Sequence, residues 1–230
     1  MPFSHLDNNI VGINGKPFVN FKVEGDMEWM DDEICMALAK ADLTKLPMVA
    51  GEKPPGMYKN RPPFEQDVEK EDWYDDHMIH RRYQIFKRKT DGPWMFIVDL
   101  KPNMFRTKDQ DLYDWLPIAD EMPYLKRFIL DKLPLKEIGR VVIYGSWADS
   151  LVPCHRDAPT TEDFSHHINF NPGGYRPVYL YDPIEKTKIY LPKDHKFYAY
   201  NVTDYHGVDP LPYFSYTVRV DGKYNDDLIV

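Results

Sequence analysis

The sequence predicts an α+β fold, in which an antiparallel β-sandwich or barrel in the C-terminal half is braced by helices from the N-terminal half. Apolar residues recur at helical spacing within 123–133. Beyond Lys136, short segments rich in β-branched and aromatic residues follow one another at short intervals. Turn signals such as Asn171-Pro172-Gly173-Gly174 separate these segments, which is the pattern of a small sandwich or barrel.

The size and composition of the chain predict one domain over residues 1–230. Its 230 residues are 43% apolar, enough to bury a core without disulfide or metal staples. Residues 1–135 supply N-terminal strands, helices and a Pro-rich loop. Residues 136–222 are predicted to form a β core.

The N-terminal elements begin with a weakly alternating segment from Pro17 to Val23. Asp31 and Asp32 then precede Glu33–Ala41, which predicts a short helix because acidic residues stabilise a helix N-terminus. From Leu46 to Tyr74, five prolines stand among charged residues and predict a long ordered loop or an arm.

A hairpin and a second helix follow the Pro-rich loop. Arg82–Lys87 and Trp94–Leu100 are predicted strands, and the Asp91-Gly92 pair between them is a hairpin signal. Pro123–Leu133 is the strongest helix prediction, because its apolar residues share one helical face and proline is tolerated in a first turn.

Six short strands are predicted for the C-terminal half. Each is rich in residues that favour a pleated, half-buried surface. They are Val141–Tyr144, His166–Phe170, Val178–Tyr181, Thr187–Leu191, Lys196–Tyr200 and Phe214–Val220.

Charge and cysteine content restrict the partners and the compartment. With 29 basic and 37 acidic residues the net charge is -8, which disfavours a protein that wraps nucleic acid or lies on anionic lipid. No run of ~18 apolar residues and no signal-peptide pattern is present, so we expect no membrane partner. Two cysteines match neither a disulfide framework nor a zinc pattern, and a reducing, cytoplasmic location is expected.

The strongest chemical signal is His155-Arg156-Asp157. In extended backbone, residues i and i+2 project to the same side, so an imidazole and a carboxylate could reach one metal ion. A His-x-Asp pattern also occurs at His5-Leu6-Asp7, so the pattern by itself is common. The second occurrence is distinguished by its setting among predicted strands and by the later residues His206 and Arg219.

Two histidines and one carboxylate form the facial triad of non-haem iron, which leaves three coordination positions open. An arginine beside such a site can hold a carboxylate through two parallel hydrogen bonds and stays charged at every working pH.

The pattern resembles the Fe(II)- and 2-oxoglutarate-dependent dioxygenases, whose core is a double-stranded β-helix of jelly-roll, cupin-like form. The resemblance covers about a third of the chain and rests on Tyr144-Gly145, His155-Arg156-Asp157, His206-Gly207 and Arg219.

The resemblance implies an oxidoreductase with iron as its cofactor and with 2-oxoglutarate and O2 as co-substrates, which releases succinate and CO2. His155, Asp157 and His206 would be the catalytic iron ligands. Arg219 would bind the far carboxylate of 2-oxoglutarate, and Tyr144 would contact the same co-substrate. Related halogenases carry a small residue in place of Asp157, so hydroxylation is favoured over halogenation.

The sequence departs from the family pattern at two positions. Many members have Arg-x-Ser in the last core strand, whereas Arg219 is followed by Val220-Asp221. Some subfamilies have Asn-x-Tyr before the His-x-Asp, and here only Tyr144 of that motif is present.

Two further co-substrate contacts are predicted on the strand that begins at His166. With a period of two, only one of His166 and His167 can face the interior, and we expect His167 together with Asn169. The aspartyl and asparaginyl hydroxylase branch uses a histidine on a comparable strand to contact 2-oxoglutarate.

The expected reaction is hydroxylation of a C-H bond in an amino acid, a protein side chain or another small substrate. A cupin-like metalloenzyme that does not use 2-oxoglutarate and a non-catalytic β-sandwich binding protein remain open alternatives. Asp75, Asp76, His77 and His80 form a rival metal cluster, but their densely charged surroundings favour a solvated surface.

Overall fold

The computed structural model describes the chain in nine segments. For 85–88, 92–97, Pro153 and His155 it describes the backbone alone. The described segments are 16–40, 85–88, 92–101, 114–146, 148–149, 151–155, 166–182, 185–202 and 204–228. The predicted Pro-rich loop, the rival cluster from Asp75 to His80, and Asp157 lie outside them.

The described residues form two α-helices and eleven strands. The helices are α1 (Met27–Lys40) and α2 (Pro123–Lys132), with short 3-10 turns at Pro117–Glu121 and Asp226–Leu228. The strands are β1 (Val19–Asn20), β2 (Ile85–Arg88), β3 (Gly92–Lys101), β4 (Leu135–Ser146), β5 (Val152–His155), β6 (His166–Phe170), β7 (Val178–Asp182), β8 (Thr187–Tyr190), β9 (Phe197–Ala199), β10 (His206–Val208) and β11 (Ser215–Tyr224).

Helix α1 begins six residues earlier than predicted. Asp26 accepts a hydrogen bond from the Trp29 backbone N–H at 3.0 Å and caps the helix, which leaves Asp31 and Asp32 inside it. Every third or fourth residue from Met30 onward is buried, so one face of α1 packs on the protein.

Helix α2 confirms the prediction for Pro123–Leu133 to within one residue. No side chain adjacent in the sequence caps its N-terminus. A carboxylate that is distant in the sequence accepts the hydrogen bonds instead. The two oxygens of Glu33, on α1, accept hydrogen bonds from the Tyr124 and Leu125 backbone N–H groups at 3.0 Å each. Glu33 therefore joins the two helices and satisfies donors that a helix N-terminus leaves unpaired.

The strands form two sheets, one of seven strands in the order β1-β9-β6-β11-β4-β3-β2 and one of four in the order β5-β10-β7-β8. All of the pairings are antiparallel. From β4 onward, successive strands pass from one sheet to the other, except at the β7–β8 hairpin. This alternation is a double-stranded β-helix, and it confirms the predicted fold class.

The helices cover the outer face of the seven-stranded sheet. Phe128 of α2 lies against Phe170 and Phe197, with ring centroids 5.9 and 5.6 Å apart. Gly25 allows this packing, because a Cβ atom there would stand 2.3 Å from Cε2 of Phe128. The larger apolar core therefore lies between the helices and this sheet, and a second apolar cluster fills part of the space between the two sheets.

The predicted hairpin is confirmed, since β2 pairs with β3. The predicted strand Val141–Tyr144 is only the middle of β4, which runs for 12 residues. Two strands that the sequence analysis did not identify, β5 and β10, have four and three residues. Among the described residues, no helix combines the length and the apolar character needed to cross a bilayer.

Candidate active site

The two histidines of the predicted iron triad meet across a pair of strands. His155 ends β5, His206 begins β10, and the two are directly paired in the antiparallel register. Directly opposite positions lie on the same side of a sheet with Cβ atoms roughly 4.5–5.5 Å apart. Positions 155 and 206 are therefore close enough to hold one ion.

Gly207 allows β10, the strand that begins at His206, to lie between β5 and β7. A Cβ atom at Gly207 would stand 2.8 Å from the carbonyl oxygen of Val152 on β5 and 2.5 Å from the hydroxyl of Tyr179 on β7. The His206-Gly207 pair thus has a steric reason, because a side chain at 207 would push β10 away from β5.

His206 has the protonation pattern of a metal ligand. It is buried, and its Nδ1 lies 2.8 Å from the backbone carbonyl oxygen of Asp204. A carbonyl oxygen only accepts, so Nδ1 carries a proton and donates it, and Nε2 is the nitrogen that would bind a metal ion. Metal-bound histidines are oriented by this type of hydrogen bond, so His206 fits the iron site that the sequence predicts.

The third predicted ligand, Asp157, lies outside the described residues, as does the imidazole of His155. Within the part of the chain that the structure describes, no three His, Cys, Asp or Glu side chains group to hold a metal. The triad therefore stays a prediction. It rests on the pairing of positions 155 and 206 and on the two-residue spacing between His155 and Asp157.

The predicted co-substrate residues share the inner face of the seven-stranded sheet. Arg219 on β11 is paired with Asn169 on β6, and Asn169 is paired in turn with Tyr198 on β9. Tyr144 on β4 is paired with Thr217, two residues before Arg219. The alternate residues of β6 and β11, such as Phe170 and Val218, lie in the core beneath the helices.

His167 lies on the same inner face, paired with Asp221. Burial holds the pKa of His167 well below its usual 6.5, and the charges of Arg219, His206 and His166 lower it further. The ring is therefore neutral at physiological pH. Its Nε2 accepts a long hydrogen bond of 3.5 Å from the backbone N–H of Tyr200.

Arg219, the predicted anchor for 2-oxoglutarate, is held by a carboxylate of its own strand. Its Nε donates to Oδ1 of Asp221 at 2.6 Å, and both side chains are largely buried. Asp221 occupies the position at which many members of the resembling family have serine. The difference from the family sequence at position 221 therefore corresponds to an ion pair between Arg219 and Asp221 inside the barrel.

A second interior arginine, Arg140, was not identified from the sequence. Its Nε donates to Oδ1 of Asp99 at 2.6 Å, and its Nη1 donates to the hydroxyl of Tyr144 at 3.2 Å. Tyr144 is thus tied to this ion pair. Since Asp99 lies 41 residues from Arg140, nothing local in the sequence indicates the contact.

A third interior arginine, Arg176, was also missed. Its Nη1 donates to Oγ1 of Thr217 at 3.0 Å and to the carbonyl oxygen of Tyr144 at 3.2 Å, and its Nη2 donates to Oγ of Ser146 at 2.5 Å. Burial lowers the pKa of Arg176 to about 10, an effect that Tyr198 and Tyr200 partly offset. Before a proline and after a turn, this arginine has the sequence context of an ordinary loop residue.

Comparison with protein-family models gives no match for the sequence, and no curated protein matches it either.

Solved structures are similar to the chain. One is an oxidoreductase of the 2OG-Fe(II) oxygenase family from Burkholderia pseudomallei, with a TM-score of 0.40 and 15% identity over 60% of this chain and 71% of that one. A second is a prolyl hydroxylase from Trichoplax adhaerens in complex with a hypoxia inducible factor peptide fragment, with a TM-score of 0.47 and 11% identity over 93% and 86% of the chains. A third is a prolyl-4-hydroxylase from Pseudomonas putida, with a TM-score of 0.40 and 8% identity over 92% and 95%.

Proposed function

We propose that this protein is an Fe(II)- and 2-oxoglutarate-dependent oxygenase. The observation that carries the proposal is the direct pairing of His155 with His206 across two strands of a double-stranded β-helix. Asp157 follows His155 by two residues, and in extended backbone both side chains project to the same side. Together the three residues would hold iron and leave positions open for a chelating co-substrate and O2.

The reaction we propose consumes one O2 and one 2-oxoglutarate for each C-H bond converted to C-OH, and releases succinate and CO2. Bound iron supplies the oxygen activation that protein side chains cannot provide. The substrate would be an amino acid, a protein side chain or another small molecule.

The side chains of the barrel would bind and orient the co-substrate. His206 donates Nδ1–H to the Asp204 carbonyl, which orients the ring so that Nε2 would be the iron-binding nitrogen. Neutral His167, with Nε2 engaged by the Tyr200 N–H, would carry its proton on Nδ1 and could donate it to a co-substrate oxygen. Tyr144 and Asn169 lie on the same face, and Arg219 lies beside them in its ion pair with Asp221.

Apolar side chains between the sheets would keep water from the site. Tyr198, Tyr200, Val142 and Leu180 are buried in the cluster that fills this space. A dry, low-dielectric interior strengthens the interactions of the arginines with a carboxylate and limits unproductive turnover.

The experiment compares Asp157→Ala with the exposed control Asp194→Ala. Metal-free protein receives Fe(II) and then 2-oxoglutarate under anaerobic conditions, and the weak visible charge-transfer band of the chelate is recorded. Succinate formation is then measured in air. We expect wild type and Asp194→Ala to give the band and succinate, and Asp157→Ala to give neither above background.

The same measurements discriminate the alternatives. Undiminished succinate formation by Asp157→Ala would rule out the triad. Iron binding without the band would favour a cupin-like metalloenzyme that does not use 2-oxoglutarate, and absence of iron binding would favour a non-catalytic binding protein.

A further inference from the structure

One of the three interior arginines has no carboxylate partner within the described residues. Arg140 is paired with Asp99, and Arg219 with Asp221. Arg176 is only 3% exposed, yet the groups that accept its hydrogen bonds are two hydroxyls and one backbone carbonyl, all neutral. A buried cation without a counter-charge is costly, which indicates that a negative ligand completes the site.

The unpaired atoms point to the same kind of ligand. Among the described residues, two buried side-chain polar atoms have no hydrogen-bond partner, Nε of Arg176 and Nδ2 of Asn169. Both are donors, so the interior has a deficit of acceptors and not of donors. A carboxylate supplies acceptor oxygens and one negative charge, and a guanidinium binds it through parallel hydrogen bonds.

The two donors belong to one region of the barrel. Arg176 is bonded to Thr217, which stands two residues from Arg219 on the inner face of β11. Asn169 is paired with Arg219 on one side and with Tyr198 on the other. Tyr198 and Thr217 both donate to Oδ1 of Asn171, at 3.3 and 2.7 Å, so the neighbours of Asn169 and of Arg176 share one hydrogen-bond acceptor.

We propose that Arg176, assisted by Asn169, binds the far carboxylate of the 2-oxo acid co-substrate. This inference rests on the proposed function, and it assigns the anchor to a residue outside the motif. Arg219, whose charge Asp221 already balances, borders the site. Arg176 is then the specificity-determining residue that selects a dicarboxylic 2-oxo acid over a monocarboxylic one of the same chain length.

The test compares 2-oxoglutarate with 2-oxopentanoate, which has the same five-carbon chain and chelating end but no far carboxylate. Binding of each acid to anaerobic, Fe(II)-loaded full-length protein is measured by titration calorimetry. The variants are Arg176→Met, which keeps the volume and removes the charge, and Arg219→Met, which tests the rival anchor. Arg127→Met, at an exposed position, is the control and should bind both acids like the wild type. Arg176→Lys keeps the charge, and circular dichroism establishes that each variant is folded.

We expect the wild type to bind 2-oxoglutarate more tightly than 2-oxopentanoate. In Arg176→Met the affinity for 2-oxoglutarate falls roughly 10- to 100-fold, the equivalent of a lost charge-assisted hydrogen bond, and the affinity for 2-oxopentanoate is unchanged. Arg176→Lys recovers part of the preference. Loss of the preference in Arg219→Met as well would add Arg219 to the same site.

The inference is overturned if Arg176→Met keeps the wild-type preference, above all if Arg219→Met loses it. In that case the proposed function is unaffected, and a residue other than Arg176 binds the far carboxylate. If the iron-loaded wild type binds neither acid, the proposed function itself fails.

Discussion

His167 is a buried imidazole whose neutral form the fold requires. Because burial and the nearby charges of Arg219, His206 and His166 depress its pKa in the folded protein, the unfolded chain takes up a proton first as the pH falls. Stability from this residue is complete above pH 6.5 and is lost below it, by about 1.4 kcal/mol per pH unit until the folded pKa is reached.

We therefore expect His167→Gln to reduce the difference in unfolding free energy between pH 7.5 and pH 5.5. Urea unfolding of both proteins at the two pH values measures this difference. His195→Gln, which changes a histidine paired with the exposed Asp194, is the control and should behave like the wild type. An equal acid loss in wild type and His167→Gln would contradict the assignment.

The sequence was informative about some interior residues and silent about others. Alternation along the strand that begins at His166 placed His167 and Asn169 on one face, because a strand has a fixed period of two. The orientation of Arg176 has no such local cause, since its partners Ser146 and Thr217 lie 30 and 41 residues away.

At the scale of single elements, α2 depends on a cap from another helix. Glu33→Ala would leave the N–H groups of Tyr124 and Leu125 without their acceptors in a largely buried setting. We expect a loss of roughly 2–3 kcal/mol in unfolding free energy, measured by urea titration.

Two variants test whether the cap is the reason. Glu33→Gln keeps one acceptor oxygen, so its loss should be smaller than that of Glu33→Ala. Glu28→Ala removes an exposed glutamate from the same helix and should cost little. Equal losses in Glu33→Ala and Glu28→Ala would show that the cap contributes nothing specific.

The elements predicted most accurately from the sequence are helices of several turns and strands in which apolar and polar residues alternate several times. Helix α2 has apolar residues over its whole length, whereas β5 and β10 are too short for a period to be recognised. Yet β5 and β10 bring the two candidate iron ligands together. The predicted start of α1, at Glu33, was wrong because Asp26, not Asp31 or Asp32, caps the helix.

At the scale of the whole molecule, the helices and the barrel are joined by one aromatic contact region. Phe128 is 3% exposed and touches Phe170 and Phe197 in the sheet. We expect Phe128→Ala to cost about 3–5 kcal/mol and to shift the far-UV and near-UV unfolding transitions together. Leu130→Ala, at a 53% exposed position of the same helix, should change stability by less than about 0.5 kcal/mol. Separate transitions in Phe128→Ala would mean that helices and barrel unfold independently.

The global topology was predicted through the family resemblance and not through composition. Short strands and turn signals left a sandwich and a barrel equally open. The strand order depends on pairings between distant segments, such as β4 with β11, and no local pattern encodes them. The pairing of His155 with His206 is likewise a contact between distant segments that no local pattern encodes.

The position of β11 has a consequence for how the protein is made. It lies between β4 and β6 in the seven-stranded sheet but is synthesised after both of them. Until it emerges from the ribosome, these two neighbours expose backbone edges that pair readily with other chains. The inner face that carries Arg219 is complete only after this strand inserts, so binding of the proposed iron and co-substrate would follow synthesis of the whole barrel.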